Sequence, residues 1–222
     1  MTRYRDYDDY DPSELYDYAE ETFELGIQEL SKGNVRDYYL KYGDCIQERI
    51  NFCINQSESL YKMVYGGAAL TMSATAAEII TRYIILRPLI QGALLSEEWA
   101  DILVNRITNG RSAEDRELLP KVLRQFEIDI TNIKLSNGCN FWDYFLNKVW
   151  KQRNDFVHKG EIPGDLEVQM AIECTKVFIT EIVYPIAKKF DFEINDNKNL
   201  PMSVNFYNKD YKQENPFIIN QS

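Results

Sequence analysis

The sequence predicts an all-α protein folded as a helical bundle. Apolar residues recur every three or four positions over several long stretches, which is the spacing of one face of an α-helix. No series of short segments alternates apolar and polar residues in the manner of β-strands. Residues that commonly start or stop helices divide the chain into successive helical stretches joined by modest loops.

The N-terminal region predicts an exposed tail followed by a first helix. Residues 1–12 are acidic and rich in tyrosine without an apolar period, so we expect a solvated tail. Asp11 can cap a helix and Pro12 fits its first position. This helix is expected to run to about Leu30 and to stop at Gly33, because glycine commonly follows a helix C-terminus.

Two further helices are expected before residue 90. The first covers residues 35–65, with an interruption near Gly43, and ends at the glycine pair 66–67. The second covers residues 68–86, where Pro88 should kink or end it because proline lacks an N–H and its ring crowds the preceding turn. This second helix is apolar on nearly all sides, which predicts a buried central position.

The middle of the chain predicts less regular structure. A fourth helix should span residues 96–110, followed by a loop over residues 110–118 and a shorter helix after Pro120. Residues 127–133 alternate apolar and polar side chains, which fits either a short strand or an irregular connection.

The C-terminal half predicts two long helices. The first begins at Asn140, with Asp143 three residues later as a capping partner, and ends at Gly160. The second opens at Asp165, and Pro185 should bend or terminate it. The apolar face of the second helix consists of Val168, Ala171, Ile172, Thr175, Ile179 and Ile182.

Composition limits the classes of function. The 222 residues carry a formal net charge of −10, which disfavours non-specific binding to nucleic acids or anionic membranes. A local basic patch stands against this background and consists of Lys148, Lys151, Arg153 and Lys159. No charge-free apolar run is long enough for a membrane span and no signal-peptide pattern is present, so we expect a cytoplasmic protein without a membrane partner.

The cysteines and the single histidine predict neither a metal site nor a cofactor. None of the four cysteines forms a C-x-x-C pair, and one histidine cannot complete a Cys/His zinc site. The sequence contains no glycine-rich phosphate-binding loop and no nucleophile elbow. We therefore expect cysteines that act as small buried hydrophobes in a reducing compartment.

The last turns of the helix that begins at Asn140 combine groups suited to phosphodiester chemistry. His158 is the only histidine, and imidazole is the side chain that most readily exchanges protons near neutral pH. Arg153 is a permanent cation shaped to grip phosphate, and it falls where the apolar pattern calls for a core residue. Asn154 lies four residues before His158, so the two side chains are neighbours on the helix.

Residues 153–158, with the sequence RNDFVH, resemble the R-x4-6-H motif of the HEPN superfamily, including the polar residue that often follows the arginine. The likeness covers roughly residues 66–190 and implies an HEPN-like helical core with added N-terminal helices. In antitoxin-paired members that are modified on tyrosine, that tyrosine stands two residues after the histidine, where this chain has Gly160.

The resemblance implies a metal-independent endoribonuclease of the toxin or antiviral-defence type, acting on RNA as a homodimer. The 2′-hydroxyl would attack the adjacent phosphate and leave a 2′,3′-cyclic phosphate. His158 would handle the proton, Arg153 would stabilise the phosphorane charge, and Asn154 would orient the phosphate or the motif of the partner chain. An antitoxin or another regulatory protein is a further expected partner.

Other residues are candidates for supporting roles. Glu78, on an earlier helix, matches the acidic residue often found in the family, and an i,i+4 ion pair with Arg82 is the alternative explanation. Lys151 and Lys159 are expected to support the site through their charge. The alternative function is a non-catalytic HEPN-like module for dimerisation or nucleotide binding, with Arg153 in a structural salt bridge.

These predictions divide the chain into four parts. Residues 1–12 form the tail, residues 13–65 form N-terminal helices that pack on the core, and residues 66–190 form the HEPN-like helical domain. Residues 191–222 are rich in Asn, Lys and Asp and contain two prolines, so we expect an irregular C-terminal tail.

Overall fold

A computed structural model describes residues 12–92, 98, 102, 113–124, 126–195 and 200–210, and this part of the chain is an all-α bundle. Helices make up 74% of it, so the predicted fold class is confirmed. The α-helices are α1 (Pro12–Lys62), α2 (Gly66–Ile79), α3 (Arg87–Gly92), α4 (Ala113–Arg124), α5 (Phe141–Tyr144), α6 (Lys151–Lys159), α7 (Asp165–Phe178) and α8 (Tyr184–Lys189).

Three π-helical segments connect consecutive α-helices without a break, and two short strands follow them. The π-helical segments are Ile80–Leu86 between α2 and α3, Phe145–Trp150 between α5 and α6, and Ile179–Val183 between α7 and α8. The antiparallel strands are β1 (Glu193–Ile194) and β2 (Val204–Asn205).

Helix α1 is continuous over 51 residues. Its described part starts at Pro12, and the predicted cap Asp11 lies outside the described residues. The predicted stop at Gly33 and interruption near Gly43 are both wrong, because the two glycines lie inside the helix. A glycine in a helix costs about 1 kcal/mol. Packing of the α1 side chains on the core outweighs this cost, and its fully buried residues include Ile46, Ile50 and Ile54.

The ring of Phe206 lies so close to Gly43 that no larger residue fits there. Gly43 and Gly33 therefore give a matched pair of stability predictions. A Cβ placed on Gly43 would overlap the buried ring of Phe206, whereas a Cβ on Gly33 would meet nothing within 4 Å. We expect Gly43→Ala to destabilise the protein by about 1–3 kcal/mol through overpacking. Gly33→Ala should stabilise it by up to about 1 kcal/mol through helix propensity. Thermal unfolding of both variants checks this, and a gain in stability for Gly43→Ala would contradict the packing.

Prolines do not end the helices in which they lie. The helix that contains Pro88 continues to Gly92, and the helix that contains Pro185 continues to Lys189, so of the two predicted outcomes, a bend or an end, the end is wrong. Each of these two prolines lies two residues after the end of a π-helical segment. The wider turn of a π-helix relieves the crowding between a proline ring and the carbonyl four residues earlier. Pro120 likewise lies inside α4, which begins at Ala113 and therefore replaces much of the loop predicted over residues 110–118.

The connection between α4 and α5 is irregular, which resolves the alternative left open for residues 127–133. It consists of turns, one of which is closed by Asp129 Oδ1 accepting from the Thr131 N–H at 2.9 Å. A single β-bridge joins Lys134 to Asn140. The helix predicted over residues 96–110 lies outside the described residues except for Glu98 and Ile102, which are helical.

Of the irregular C-terminal tail predicted from residue 191, the structure describes residues 191–195 and 200–210, and several of their side chains pack into the core. The side chains of Phe192, Met202, Val204 and Phe206 are buried. Buried side chains of α1 hold this segment, since Asn51 bonds to both backbone groups of Met202 and Gln47 Oε1 accepts from the Val204 N–H. Residues 211–222 lie outside the described part.

The helix over residues 66–92 is the most apolar stretch of the described chain. By length and composition alone it is able to cross a membrane, and 61% of its most apolar window is buried inside the protein. Its neighbours are α1 and α7, which pack along it. Because neighbouring helices cover most of its surface, the helix is apolar on nearly all sides, as predicted for a central helix.

All four cysteines are free thiols, but only two are fully buried as expected. Cys53 and Cys174 are buried, and burial raises the pKa of Cys174 to about 12. Cys139 is exposed and Cys45 is half-buried.

Candidate functional site

The motif helix consists of α5, the π-helical segment Phe145–Trp150 and α6, and its two ends match the prediction. Asn140 caps its start, because its Oδ1 accepts from the Asp143 N–H at 3.0 Å. Gly160 ends it in the left-handed conformation with φ of 72°, a conformation that glycine adopts without strain. The next helix opens at Asp165, also as predicted.

Aromatic packing fixes the motif helix against α2 and α7. The rings of Phe141 and Phe145 both pack edge-on against Phe178 of α7, with ring centroids 4.9 Å apart in each pair. One turn before the helix end, the ring of Phe156 lies directly on the backbone of Gly67, where any side chain would overlap it. The helix that carries Arg153 and His158 is therefore held at both ends.

Arg153 is half-buried and has no acidic partner in the part of the chain that the structure describes. Its Nη1 donates to Asn154 Oδ1 at 3.0 Å, and its guanidinium carbon lies 5.6 Å from the centre of the Trp150 ring. Among the described residues no carboxylate forms an ion pair with it, so the structural salt bridge expected of a non-catalytic motif is not seen there. One of its five N–H donors is used, and the others remain available for an anion.

His158 lies in the last turn of α6 with its side chain exposed. It forms no hydrogen bond within the described chain. At 100° per residue, His158 stands about 140° around the helix from Arg153 and roughly 7.5 Å further along it. Asn154 lies between the two, since it bonds to Arg153 and stands one helical turn before His158. One chain therefore does not aim Arg153 and His158 at the same point.

The charges next to the motif pair with each other. Lys159 Nζ donates to Asp155 Oδ1 at 2.7 Å and lies 3.9 Å from Glu161 Oε1. The hydrogen bond between Lys159 and Asp155 lowers the pKa of Asp155 and raises the pKa of Lys159. Lys159, expected to support the site, is thus occupied by its neighbours.

Glu78 forms the ion pair that was the alternative to a functional role. Its Oε1 lies 3.1 Å from Arg82 Nε, one turn further along the same helix. Both side chains are partly buried, and no hydrogen bond or ion pair links Glu78 to the motif helix within the described residues. The ion pair is sufficient to account for its position.

A groove runs beside the motif helix and was not predicted from the sequence. Its volume is about 250 Å³, and it is lined by Asn147, Lys148, Lys151, Gln152, Asp155, Glu161, Ile162, Pro163 and Glu167. Lys151 is the one predicted site residue that lines it; Arg153, Asn154 and His158 do not. The basic patch seen in the sequence indicated part of this groove, because Lys148 and Lys151 share one helical face.

The bundle end beside His158 exposes six large apolar side chains, and we call it the apolar end. It consists of Met63, Val64, Tyr65, Val157, Ile162 and Leu166. These residues come from neighbouring segments, since a Cβ on Gly66 would lie 3.9 Å from the Pro163 carbonyl oxygen and 3.2 Å from Val168. Val64 is 88% exposed.

Val64 also adopts a left-handed backbone conformation, with φ of 66°. It follows the C-terminus of α1, where helices usually place glycine. A β-branched residue in this conformation costs on the order of 1–3 kcal/mol.

No protein-family model, curated protein or solved structure matches this chain. The described residues contain no group of three or more His, Cys, Asp or Glu side chains placed to hold a metal ion. The fold and the site define an all-α protein whose motif helix presents an exposed histidine and an arginine that has no acidic partner among the described side chains.

Proposed function

We propose that the protein is a metal-independent endoribonuclease whose site is shared by two copies of the chain. The observation that carries the proposal is Arg153, a half-buried guanidinium without an acidic partner in the described chain, held by Asn154. A guanidinium that is half removed from water is favoured by an anion that meets it. The phosphate of a nucleic acid strand provides that anion.

The chemistry needs a base and an acid. The base takes the proton of the 2′-hydroxyl, the 2′-oxygen forms a bond to phosphorus, the bond from phosphorus to the 5′-oxygen breaks, and the acid protonates that oxygen. The products are a 2′,3′-cyclic phosphate and a free 5′-hydroxyl. One chain offers one histidine, and two chains related by a two-fold axis offer two.

The geometry of α6 favours a two-chain site. Because Arg153 and His158 are separated by about 140° around the helix, a phosphate on Arg153 is more easily reached by His158 of the partner subunit. The apolar end lies beside His158 and supplies exposed surface for such pairing. Val157, the residue before the histidine, is part of that surface.

The second candidate is a non-catalytic module for dimerisation or nucleotide binding. It is favoured by the contacts of Arg153 with Asn154 and Trp150, which hold the guanidinium without a substrate. Such a module would bind RNA or nucleotide without turnover.

Cleavage of RNA in EDTA tests the proposal directly. We expect the wild-type protein to cleave single-stranded RNA as fast in EDTA as in magnesium, because no step needs a metal. The new ends should carry 2′,3′-cyclic phosphate, which acid opens, and the equivalent DNA strand should stay intact for lack of a 2′-hydroxyl. Binding of RNA without cleavage would select the non-catalytic module, and cleavage of DNA would contradict the mechanism.

A further inference from the structure

We infer that Trp150 is a positioning residue, which holds the guanidinium of Arg153 ready for the phosphate of an RNA strand. The inference rests on the proposed function, because it explains how the phosphate-binding group of that site is kept in place. A free arginine side chain has many rotamers, and a substrate that must fix one of them loses affinity through the lost side-chain entropy. A guanidinium that is already held avoids most of this loss.

Two contacts hold the Arg153 guanidinium within the described chain. Its carbon lies 5.6 Å from the centre of the Trp150 ring, a distance at which the negative face of an indole attracts a cation. Its Nη1 donates to Asn154 Oδ1 at 3.0 Å. Trp150 stands three residues before Arg153, and helical side chains lean towards the N-terminus, so Arg153 reaches back over the indole. Trp150 and Asn154 thus hold the same group from two positions on the helix.

Trp150 is itself anchored to the core through an aromatic column, which consists of Phe178, Phe145 and Trp150. Phe178 of α7 is fully buried, and Phe145 packs edge-on against it with 4.9 Å between the ring centres. The half-buried ring of Trp150 lies 6.1 Å from that of Phe145. Because rings packed in a core have little freedom to move, the column connects the guanidinium to a rigid part of the bundle.

The π-helical segment Phe145–Trp150 brings the last two rings of the column together. In an α-helix, side chains five positions apart point in directions about 140° apart. The hydrogen bonds of a π-helix join residues five positions apart, so Phe145 and Trp150 come onto the same side of the helix. Segments of this kind are frequent at functional sites. Here the segment places an indole next to the guanidinium that follows it in the motif.

Nuclear magnetic resonance of the free protein tests the positioning directly. The heteronuclear NOE of the Arg153 Nε–H reports whether this group is rigid on the picosecond to nanosecond timescale. We expect it to be rigid in the wild type, mobile in Trp150→Leu, which lacks an aromatic face, and rigid again in Trp150→Phe. Trp142→Leu is the matched control and should leave Arg153 rigid. Trp142 also packs on Phe145, at 5.9 Å, but forms no cation–π pair with Arg153 in the described chain.

The functional effect is measured with two strands of the same sequence, a 2′-O-methyl oligouridine that cannot be cleaved and the corresponding RNA. Trp150→Leu should weaken binding of the first and lower kcat/KM for the second by roughly twofold to thirtyfold, the range of a cation–π contact. In an Arg153→Ala background the same substitution should change neither, because no guanidinium is left to position. A loss of equal size in both backgrounds would mean that Trp150 acts only through the fold, and the inference would be wrong.

The outcomes separate this inference from the proposed function. If Arg153 is mobile in the wild type, or stays rigid in Trp150→Leu, the inference fails whatever the RNA results are. If the wild type cleaves RNA and Trp150→Leu cleaves it equally fast, the inference fails and the nuclease stands. If Arg153 becomes mobile in Trp150→Leu as expected, but the wild type neither binds nor cleaves RNA, the positioning by Trp150 stands and the proposed function fails.

Discussion

Replacing His158 with alanine is expected to slow RNA cleavage by roughly 10²–10⁴-fold, the usual contribution of a positioned acid or base. The side chain is exposed and forms no hydrogen bond within the described chain, so its removal should leave the fold and the stability unchanged. Single-turnover cleavage in EDTA measures the effect, and circular dichroism with thermal unfolding checks the fold. Lys188→Ala, an exposed change on α8, is the control and should cleave at the wild-type rate.

Mixing two inactive variants tests whether the site is shared. Arg153→Ala and His158→Ala should each cleave far more slowly than the wild type, and mixing them should restore cleavage in part, because a mixed dimer keeps one Arg153 and one His158 in the shared site whereas each variant alone lacks one of these groups entirely. A site built within one chain would gain nothing from mixing. Wild-type cleavage by His158→Ala alone would remove the proposed mechanism altogether.

Local sequence signals predicted the ends of the motif helix and the fold class. Asn140 and Gly160 act within one turn of the helix, through a side-chain cap and a left-handed residue, so their effects depend little on the rest of the protein. The apolar period of α7 depends only on which face meets the core.

The signals failed where tertiary packing overrode a local preference. Gly33 and Gly43 suggested breaks, but each costs only about 1 kcal/mol in a helix, less than the burial of one large apolar side chain. Gly43 is needed by Phe206, a residue more than 150 positions away in the chain, and no local pattern reveals that contact. Pro88 and Pro185 follow π-helical segments, which are rarely predictable from sequence.

One part of the candidate site was predicted from the sequence, and another part was not. Arg153, Asn154 and His158 stood out because they lie close in sequence on one predicted helix. The groove needs the loop around Ile162 to fold back beside Lys148 and Lys151, and the apolar end needs the turn at Val64 to lie near the start of α7. Both surfaces arise from the packing of distant segments, so only the basic patch could be predicted from the sequence alone.

The second large expected effect is a loss of stability when Asn51 of α1, which holds the C-terminal segment, is replaced. This side chain is 5% exposed and bonds to both backbone groups of Met202: Nδ2 donates to the carbonyl at 2.9 Å, and Oδ1 accepts from the N–H at 2.8 Å. Asn51→Ala would leave a buried donor and a buried acceptor without partners, each costing about 1–3 kcal/mol. We expect a total loss of about 2–5 kcal/mol, which lowers the Tm by roughly 5–15 °C for a domain of this size.

Asn55→Ala is the matched control for this prediction, because Asn55 lies one turn further along the same helix with its side chain exposed. The two substitutions remove the same atoms and change helix propensity equally, so their difference isolates the bonds to Met202. Asn55→Ala should change stability by no more than about 0.5 kcal/mol. If residues 200–206 were only loosely attached, water would satisfy Met202 in Asn51→Ala and the two variants would unfold at the same temperature. A large difference between them, with faster proteolysis near Met202 in Asn51→Ala alone, would establish that α1 holds the C-terminal segment in the core.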